Sequence, residues 1–431
     1  MNNILMRGVV HSVLMQVADW MPMKIAYVVP YVPNRIRTRP YNLINQLSAL
    51  GHEVVVFTLG SSKDDLVDVN SLQSRVQEVN YHVQPVWNSL LNSVWALPSA
   101  QPLQTVYSWN RGMADQLVNL LKAGKPFAGF DIVHVEHLRG SRYARYVKAH
   151  IPDIPLIWDS VDCISYLFKQ ASSQSGSAFG KLITRLELTR TQKAEAHLVT
   201  LFDQVLVTSD VDKKALLDLV PNGSKPSPIS VLVNGVDLDY FRPGHNVQSD
   251  PETLVFSGKM SYHANISMAK YLVHEIMPKI WQKRPGVRLV IVGKDPPVDI
   301  QRWTNHPRIT VTGTVDDIRP YLWQATVAVV PLVYGAGVQN KVLEAMACGI
   351  PVVTTSKVLS SIQVQHEKNL LIADDPEGFS SQVLRLLDNP TFQREIGKTG
   401  ESYVRKHHSW ETIGHQLVDI YHQTISQMHQ L

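Results

Sequence analysis

Gln339-Asn340-Lys341, with Glu344 shortly after, is the stretch whose residue types and spacing best suit binding chemistry. The run "VQNKVLEAMA" (338–347) has helical periodicity. If a helix starts there, its unbonded N–H groups and positive dipole end add to the full charge of Lys341. Glu344 lies at i+3 from Lys341 and so shares its face. A cation at a helix amino terminus suits a diphosphate, and a carboxylate just behind it suits a ribose diol. The alternative is a Lys–Glu surface pair, which contributes well under ~1 kcal/mol. Glycines argue for the ligand: Gly335 and Gly337 precede the helix, and Gly258, Gly293 and Gly313 each follow a strand-like run. Glycine at such junctions lets a phosphate or a base approach the backbone. Lys259, next to Gly258, supplies a second cation from a facing loop. No G-x-G-x-x-G opens a first strand and no G-x-x-x-x-G-K-[ST] occurs, so a nucleotide site is expected without a dinucleotide or P-loop fingerprint.

These residues need a scaffold, and the apolar pattern describes one. From Lys24 the chain alternates short apolar strands with helical runs: "KIAYVVP", then "RPYNLINQLSALG" with Leu43, Leu47 and Leu50 at helical spacing, then "HEVVVFTL". Near-continuous apolar strands separated by helices predict parallel sheets covered on both faces. The first series continues through "DIVHVEH", "PLIWDSVD", "QVLVTS" and "ISVLVNGVD"; a second starts after "RPGHNVQSDPE" (242–252) with "TLVFSG", "RLVIVG", "ITVTG", "VAVVPL", "IPVVTT" and "NLLIAD". The expected fold class is α/β, two doubly wound Rossmann-like domains facing across a cleft. Residues 23–240 form the first and 241–407 the second; 408–431 form a helix returning to the first domain. Ligands in such sheets bind outside the strands' carboxyl ends.

The 431 residues are too many for one ordinary core, which agrees with two domains. A net charge of +4 does not fit a strongly basic nucleic-acid binder, and no nucleic acid is expected as a partner. Two cysteines, Cys163 and Cys348, lie far apart without metal-ligand spacing, so a reducing cytoplasm is expected. No apolar run reaches the roughly 20 residues that span a bilayer. Residues 1–22 read as a non-structural extension or misassigned start, as an amphipathic membrane-contacting helix, or as a poor signal peptide; "MKIAYVVPYVP" from Met23 reads as the opening of the fold. The region Tyr81–Leu121, with Trp87, Trp95 and Trp109, reads as packed helical hairpins or as an acceptor-side or membrane-facing surface. The basic helix 181–197 reads as a solvated face or a lipid-phosphate contact.

The set "VLVNGVDLDYFRP" (231–243), "VFSGKM" (255–260), "LVIVGKDP" (289–296), "ITVTGTVDDIRPYLWQATVAVVPL" (309–332) and "GAGVQNKVLEAMACGIPVVTT" (335–355) resembles the donor half of family-4 glycosyltransferases, retaining nucleotide-sugar enzymes of the GT-B fold. "QNKVLEAMA" resembles a subset seen in exopolysaccharide sugar transferases. "KIAYVVPYVP", "LSALGHEVVVFT" and "FDIVHVEH" carry a weaker resemblance in the first domain. The resemblance implies that Lys259 and Lys341 bind the donor diphosphate and Glu344 the ribose hydroxyls. It places Gly313 to Val315 at the base, and Gly337, Val338, Gln339 and Asn340 under the sugar and phosphates.

Three positions depart from that pattern. The family's first-loop Gly-Gly falls on Asn34-Arg35, inside "PNRIRTRP". Arg35, Arg37 and Arg39 would replace backbone amides with guanidinium donors, or are solvated. Ala336 stands where the first of two paired glutamates would be. Asp159, in "IWDSVD", takes the place of the acceptor-side histidine; Asp159 or Asp162 would orient an acceptor hydroxyl or cap the strand end. His134 and His137 are further cleft candidates. Asp237-Leu238-Asp239 matches a metal-binding D-x-D, but its place in the "NGVD" turn favours turn chemistry, and no metal or cofactor is expected. The resulting expectation is metal-independent sugar transfer from a nucleotide-diphosphate sugar to a saccharide or lipid-linked acceptor in surface polysaccharide or glycoconjugate synthesis, at the inner face of a membrane. A catalytically silent GT-B nucleotide-sugar or glycan-binding partner subunit is the alternative. A nucleotide-sugar epimerase would need the missing second carboxylate.

Overall fold

The computed structural model describes residues 21–34, 37–61, 65–124, 126–172, 178–244, 250–333 and 340–428. Residues 1–20, Arg35, Ala336, Gly337, Val338 and Gln339 therefore lie outside the described residues. Two parallel sheets carry the chain. The first contains β1 (Lys24–Val29), β2 (Glu53–Gly60), β3 (Glu78–Val83), β4 (Ile132–Glu136), β5 (Leu156–Val161), β6 (Gln204–Val207) and β7 (Ile229–Val231). Their spatial order is β3-β2-β1-β4-β5-β6-β7. The second contains β8 (Thr253–Ser257), β9 (Arg288–Val292), β10 (Ile309–Val311), β11 (Val327–Val330), β12 (Val352–Thr354) and β13 (Leu371–Ile372), in the order β10-β9-β8-β11-β12-β13.

Alternation along β1 explains why both faces of its sheet are covered. Ile25, Tyr27 and Val29 point into one apolar layer, and Ala26 and Val28 into the other. The first layer includes Leu43, Ile44 and Leu47 of helix Thr38–Ala49 and Trp410, Ile413, Leu417, Val418 and Tyr421 of helix Trp410–Met428. The carboxy-terminal helix thus packs back on the first domain. Gly414 makes the approach possible, since a Cβ there would lie 2.7 Å from Cβ of Gln46. The return path is tied to the segment that follows β7: His408 O accepts from Val236 N at 2.7 Å, and His408 Nδ1 lies 3.0 Å from Asn234 O.

Strand β3 was absent from the expected series. It is an edge strand whose polar Glu78, Asn80 and His82 alternate with Val79, Tyr81 and Val83, so it lacks the continuous apolar run of its buried neighbours. The two readings of Tyr81–Leu121 divide between its tryptophans. Trp109 packs against Tyr143 and Tyr146, with ring centroids 5.0 and 5.8 Å away. Trp87 and Trp95, on helix Val86–Ala96, are 61% and 81% exposed.

Replacing Gly414 with Leu should drive the carboxy-terminal helix away from helix Thr38–Ala49. Overpacking of this kind costs about 1–3 kcal/mol. Thermal unfolding should register the loss, whereas an unchanged melting temperature would show that the two helices do not meet there.

Candidate functional site

The chemistry-bearing residues gather at the carboxyl ends of both sheets. In the second domain, Gly258 and Gly293 end β8 and β9 with φ of +151° and +150°. A Cβ on Gly293 would lie 1.8 Å from Gly258 O, and one on Gly258 would meet Asn265 and the Lys341 side chain. Backbone approach at Gly293 and the packing of Asn265 and Lys341 at Gly258 therefore demand glycine at these two positions. Lys259 follows with an exposed side chain.

Lys341 and Glu344 sit on helix Asn340–Ala347, as the spacing predicts. Lys341 Nζ donates to Asn265 Oδ1, while Asn265 Nδ2 donates to Lys259 O at 2.8 Å. Asn265 thus connects the Lys259 loop to Lys341; nothing in "SYHANISMA" signalled that link. No Lys341–Glu344 ion pair forms. Burial pulls the Lys341 ammonium down to about 8, with the Glu344 charge opposing. Burial also pushes the Glu344 carboxyl up to about 7, with Lys341 opposing. The Oδ1 atom of Asn340 is buried at the helix start without a hydrogen-bond partner. Asn340 and Glu344 line a cavity of about 450 Å³ that reaches Thr38, Tyr41 and Asn42 of the first domain. Gly313 and Val315 lie beyond β10, with Val315 packed against the core.

Asp237 Oδ1 accepts from the backbone of Asp239 and Tyr240 at 3.2 and 3.0 Å, so the D-x-D is a turn. Among the described residues, no group of three or more His, Cys, Asp or Glu side chains is arranged to hold a metal ion.

The first domain corrects the reading of Arg39 and decides between the two readings of Asp159. Arg39 is not a donor to an external phosphate. Its Nε and Nη2 hold both oxygens of Asp159 at 2.8 and 3.2 Å, and Nη1 reaches Leu232 O and Asn234 Oδ1 at 3.0 and 2.8 Å. Asp159, in turn, cannot orient an acceptor as a free carboxylate. It is fully buried, engaged by Arg39, and accepts from Val161 N at 3.2 Å, which caps the strand end. Arg37 is exposed, donates to Val32 O and lies over the Tyr31 ring.

Around this pair lies a buried network. Glu136 accepts from Tyr27 and Tyr31, each at 3.0 Å. Burial, then the Asp159 charge, holds its carboxyl well above the usual carboxylate range. Nothing in "DIVHVEH" singles out Glu136, because a carboxylate inside a strand is ordinarily solvent-facing. His134 stacks on Tyr27 and meets the Tyr421 hydroxyl at 2.8 Å; burial lowers it to about 4, so it is neutral at pH 7. His137 is similarly lowered to about 4. Asp162 is pushed up to about 6 by burial and the neighbouring Asp212, and its Oδ1 accepts from Thr208 at 3.3 Å.

Two residues here occupy the left-handed region despite their side chains: His137 (φ +61°) and Val161 (φ +67°), at the ends of β4 and β5. For β-branched Val161 this is a strained conformation. Strain of this kind collects at ligand-binding ends of sheets and persists only where surroundings enforce it. The Arg39–Asp159 pair, the Val161 N–H bond to Asp159 and the register shift in β5 between Asp159 and Val161 enforce it here.

Two family models lie end to end on the chain. Glycosyltransferase Family 4 matches residues 36–240, and Glycosyl transferases group 1 matches 251–389. The chain belongs to the family-4 glycosyltransferases. An uncharacterized glycosyltransferase of Methanocaldococcus jannaschii is 24% identical over 93% of this chain and 98% of its own length. An MMP alpha-(1->4)-mannosyltransferase of Mycolicibacterium hassiacum is 21% identical over 90% and 94%. Among solved structures, sucrose-phosphate synthase from Thermosynechococcus elongatus superposes with a TM-score of 0.65 at 20% identity, covering 94% of this chain and all of that one. HepE of Anabaena, in complex with UDP and glucose, gives 0.63 at 13% identity over 93% of this chain and all of that one. These likenesses establish the GT-B fold, and family membership makes this chain a glycosyl-transferring enzyme. No described helix is long and apolar enough to cross a membrane.

Because Arg39 and Asp159 are a buried pair, removing one partner leaves an uncompensated charge. Arg39→Ala should cost about 3–5 kcal/mol, and Arg39→Met combined with Asp159→Leu should recover most of it. Chemical denaturation of the two variants checks this; equal losses in both would show that the charges act independently.

Proposed function

We propose that this glycosyltransferase is a retaining enzyme that takes its sugar from a nucleotide-diphosphate donor held by the second domain. The observation that carries the reading is the joint placement of Lys259, Lys341, Glu344 and the orphaned Asn340 carbonyl at one cleft-facing sheet end. Lys341, Lys259 and the helix amino terminus form a preorganised positive site for the leaving diphosphate. Such a site stabilises a transition state in which negative charge grows on the leaving group, without solvent reorganisation. Glu344 accepts the ribose hydroxyls, and the loop from Gly313 to Val315 contacts the base through its backbone. The Lys341 and helix-terminus charges fulfil the role a divalent cation would otherwise serve, and the Asp237 carboxylate is engaged by its own turn.

The acceptor enters over the carboxyl ends of β4 and β5, where His137 and Asp162 border the strained segments. Asp159 acts there as a positioning residue, through Val161 and Arg39. Attack from the leaving-group face retains the anomeric configuration. A saccharide or lipid-linked saccharide of surface polysaccharide or glycoconjugate synthesis fits a cleft open between two domains.

Calorimetry with UDP, GDP and ADP, run in chelator, tests the donor site. One diphosphate should bind, and Lys341→Ala should weaken it severely and lower transfer by on the order of 10²–10³. Absence of binding by a folded protein would remove the donor assignment, and a strict need for added divalent cation would remove the metal-free reading.

The same site fixes a pH profile. Lys341 loses its proton as pH rises through about 8, so diphosphate affinity should fall above that value, with proton uptake on binding. Glu344 gains a proton below about 7 and becomes a poorer acceptor, so affinity should also fall on the acid side. Titrations in buffers of different ionisation enthalpy read the proton uptake directly. A profile flat from pH 6 to 9 would contradict these roles.

A further inference from the structure

Helix Val86–Ala96 is folded inside out. Its recessed positions are Asn88, Ser89, Asn92, Ser93 and the small Ala96, while Val86, Trp87, Leu90, Leu91, Val94 and Trp95 are exposed. The polar side is satisfied inward: Asn92 Nδ2 donates to Trp109 O at 2.9 Å, and Gln84 Nε2 donates to Ser89 Oγ at 3.4 Å. The outward side repeats at i, i+3, i+4, i+7 and i+8 from Trp87 and continues to Leu97, which is 55% exposed. The helix carries no charged residue. An outward stripe of this size on a soluble surface marks a contact with something apolar.

A cationic cavity adjoins the stripe. Segment 100–102, three residues past Leu97, forms one wall of a hollow of about 210 Å³ whose other walls include Arg142, Arg145, Lys193 and His197. Three residues span at most roughly 11 Å, so the cavity mouth lies close to the helix end. Among the described residues, Arg142, Arg145 and Lys193 have no carboxylate partner; Arg142 instead lies over the Trp109 ring at 4.5 Å. Burial and the charge of Arg145 both lower the Arg142 guanidinium, as expected for like charges gathered without a counterion. Helix Ala178–Leu201, which carries Lys193, is fixed to the stripe through Arg190, which donates to Leu97 O, and Glu187, which accepts from Leu103 N at 2.9 Å.

We propose that this face is a docking surface for an anionic phospholipid bilayer. The Trp–Leu–Val stripe enters the headgroup region, and Arg142, Arg145 and Lys193 bind lipid phosphate. Tryptophan favours that interface, and a cationic patch beside an apolar helix face is the combination that binds anionic leaflets. Topology gives the docking a purpose. The helix leaves the carboxyl end of β3, and all strands of the sheet are parallel, so the stripe lies at the same end as His137 and Asp162. A lipid-linked acceptor would then be presented at the cleft. The inference stands on the first domain alone and does not depend on the donor site.

Co-sedimentation of the full chain with phosphatidylglycerol and phosphatidylcholine vesicles tests it, with circular dichroism and thermal unfolding confirming that each variant is folded. Wild type should bind phosphatidylglycerol vesicles at least tenfold more tightly than phosphatidylcholine. Trp87→Ser with Trp95→Ser should lose at least tenfold on both lipids. Arg145→Gln with Lys193→Gln should lose the anionic preference and keep the weak neutral binding. No sedimentation of wild type with either vesicle would overturn the proposal, as would binding unchanged in both variants. A self-associating chain that ignores vesicles and becomes monomeric in the tryptophan variant by sedimentation velocity would also overturn it, assigning the stripe to a second copy.

Discussion

Arg39 is a guanidinium in the interior, 5% exposed, and it joins its own helix to two other parts of the chain: the end of β5 through Asp159, and the carbonyls of Leu232 and Val233 just after β7. An arginine can do this because its donors lie in a rigid planar fork that meets a carboxylate with two bonds and leaves others for carbonyls. The segment it holds is the same one that His408 holds from the carboxy-terminal side. The end of β5 and the segment after β7 therefore meet at one buried polar cluster. The low dielectric there makes each bond stronger and each missing partner costly. Around the pair, Glu136 is pushed toward its protonated form and His134 toward its neutral form, so the network avoids accumulating further buried charge.

From that cluster the strand ends take their shape. Parallel sheets put every carboxyl end on one side, and both domains direct those ends at the cleft. In the first domain the ends are strained, at His137 and Val161. In the second they are stripped of side chains, at Gly258 and Gly293, where the backbones come too close for a Cβ. The two devices serve different needs. Strain holds a polar backbone in a chosen direction, while glycine lets the Lys341 and Asn265 side chains pack against the backbone in one narrow space. Lys341 rests in that space against Gly258, held by Asn265, with its charge destabilised by burial.

Much of this was legible before any coordinates. The alternation of apolar strands and helices gave the two doubly wound domains, and the QNKVLE spacing placed Lys341 and Glu344 on one helix. Strand β3 was missed because an edge strand with polar alternation has no long apolar run. Arg39 was misread, and the two readings of Asp159 stayed open, because the residues alone look like a loop cation and a strand-end acid. Only the fold, which sets Arg39 of helix Thr38–Ala49 beside the end of β5, turns them into a pair 120 positions apart. Asn265 and Glu136 were invisible because their partners, Lys341 and the two tyrosines, come from distant segments.

The sequence by itself determined the fold class, the cleft-facing glycines and the helix bearing Lys341, because periodicity and spacing are local properties. Tertiary structure alone decided which charges are exposed, which are buried and paired, and which way the helix Val86–Ala96 turns its apolar side. The physical reason is that burial depends on what distant segments place alongside a residue. The same Trp-Leu-Val pattern would have formed a core if Asn92 had not found the Trp109 carbonyl and turned the polar side inward.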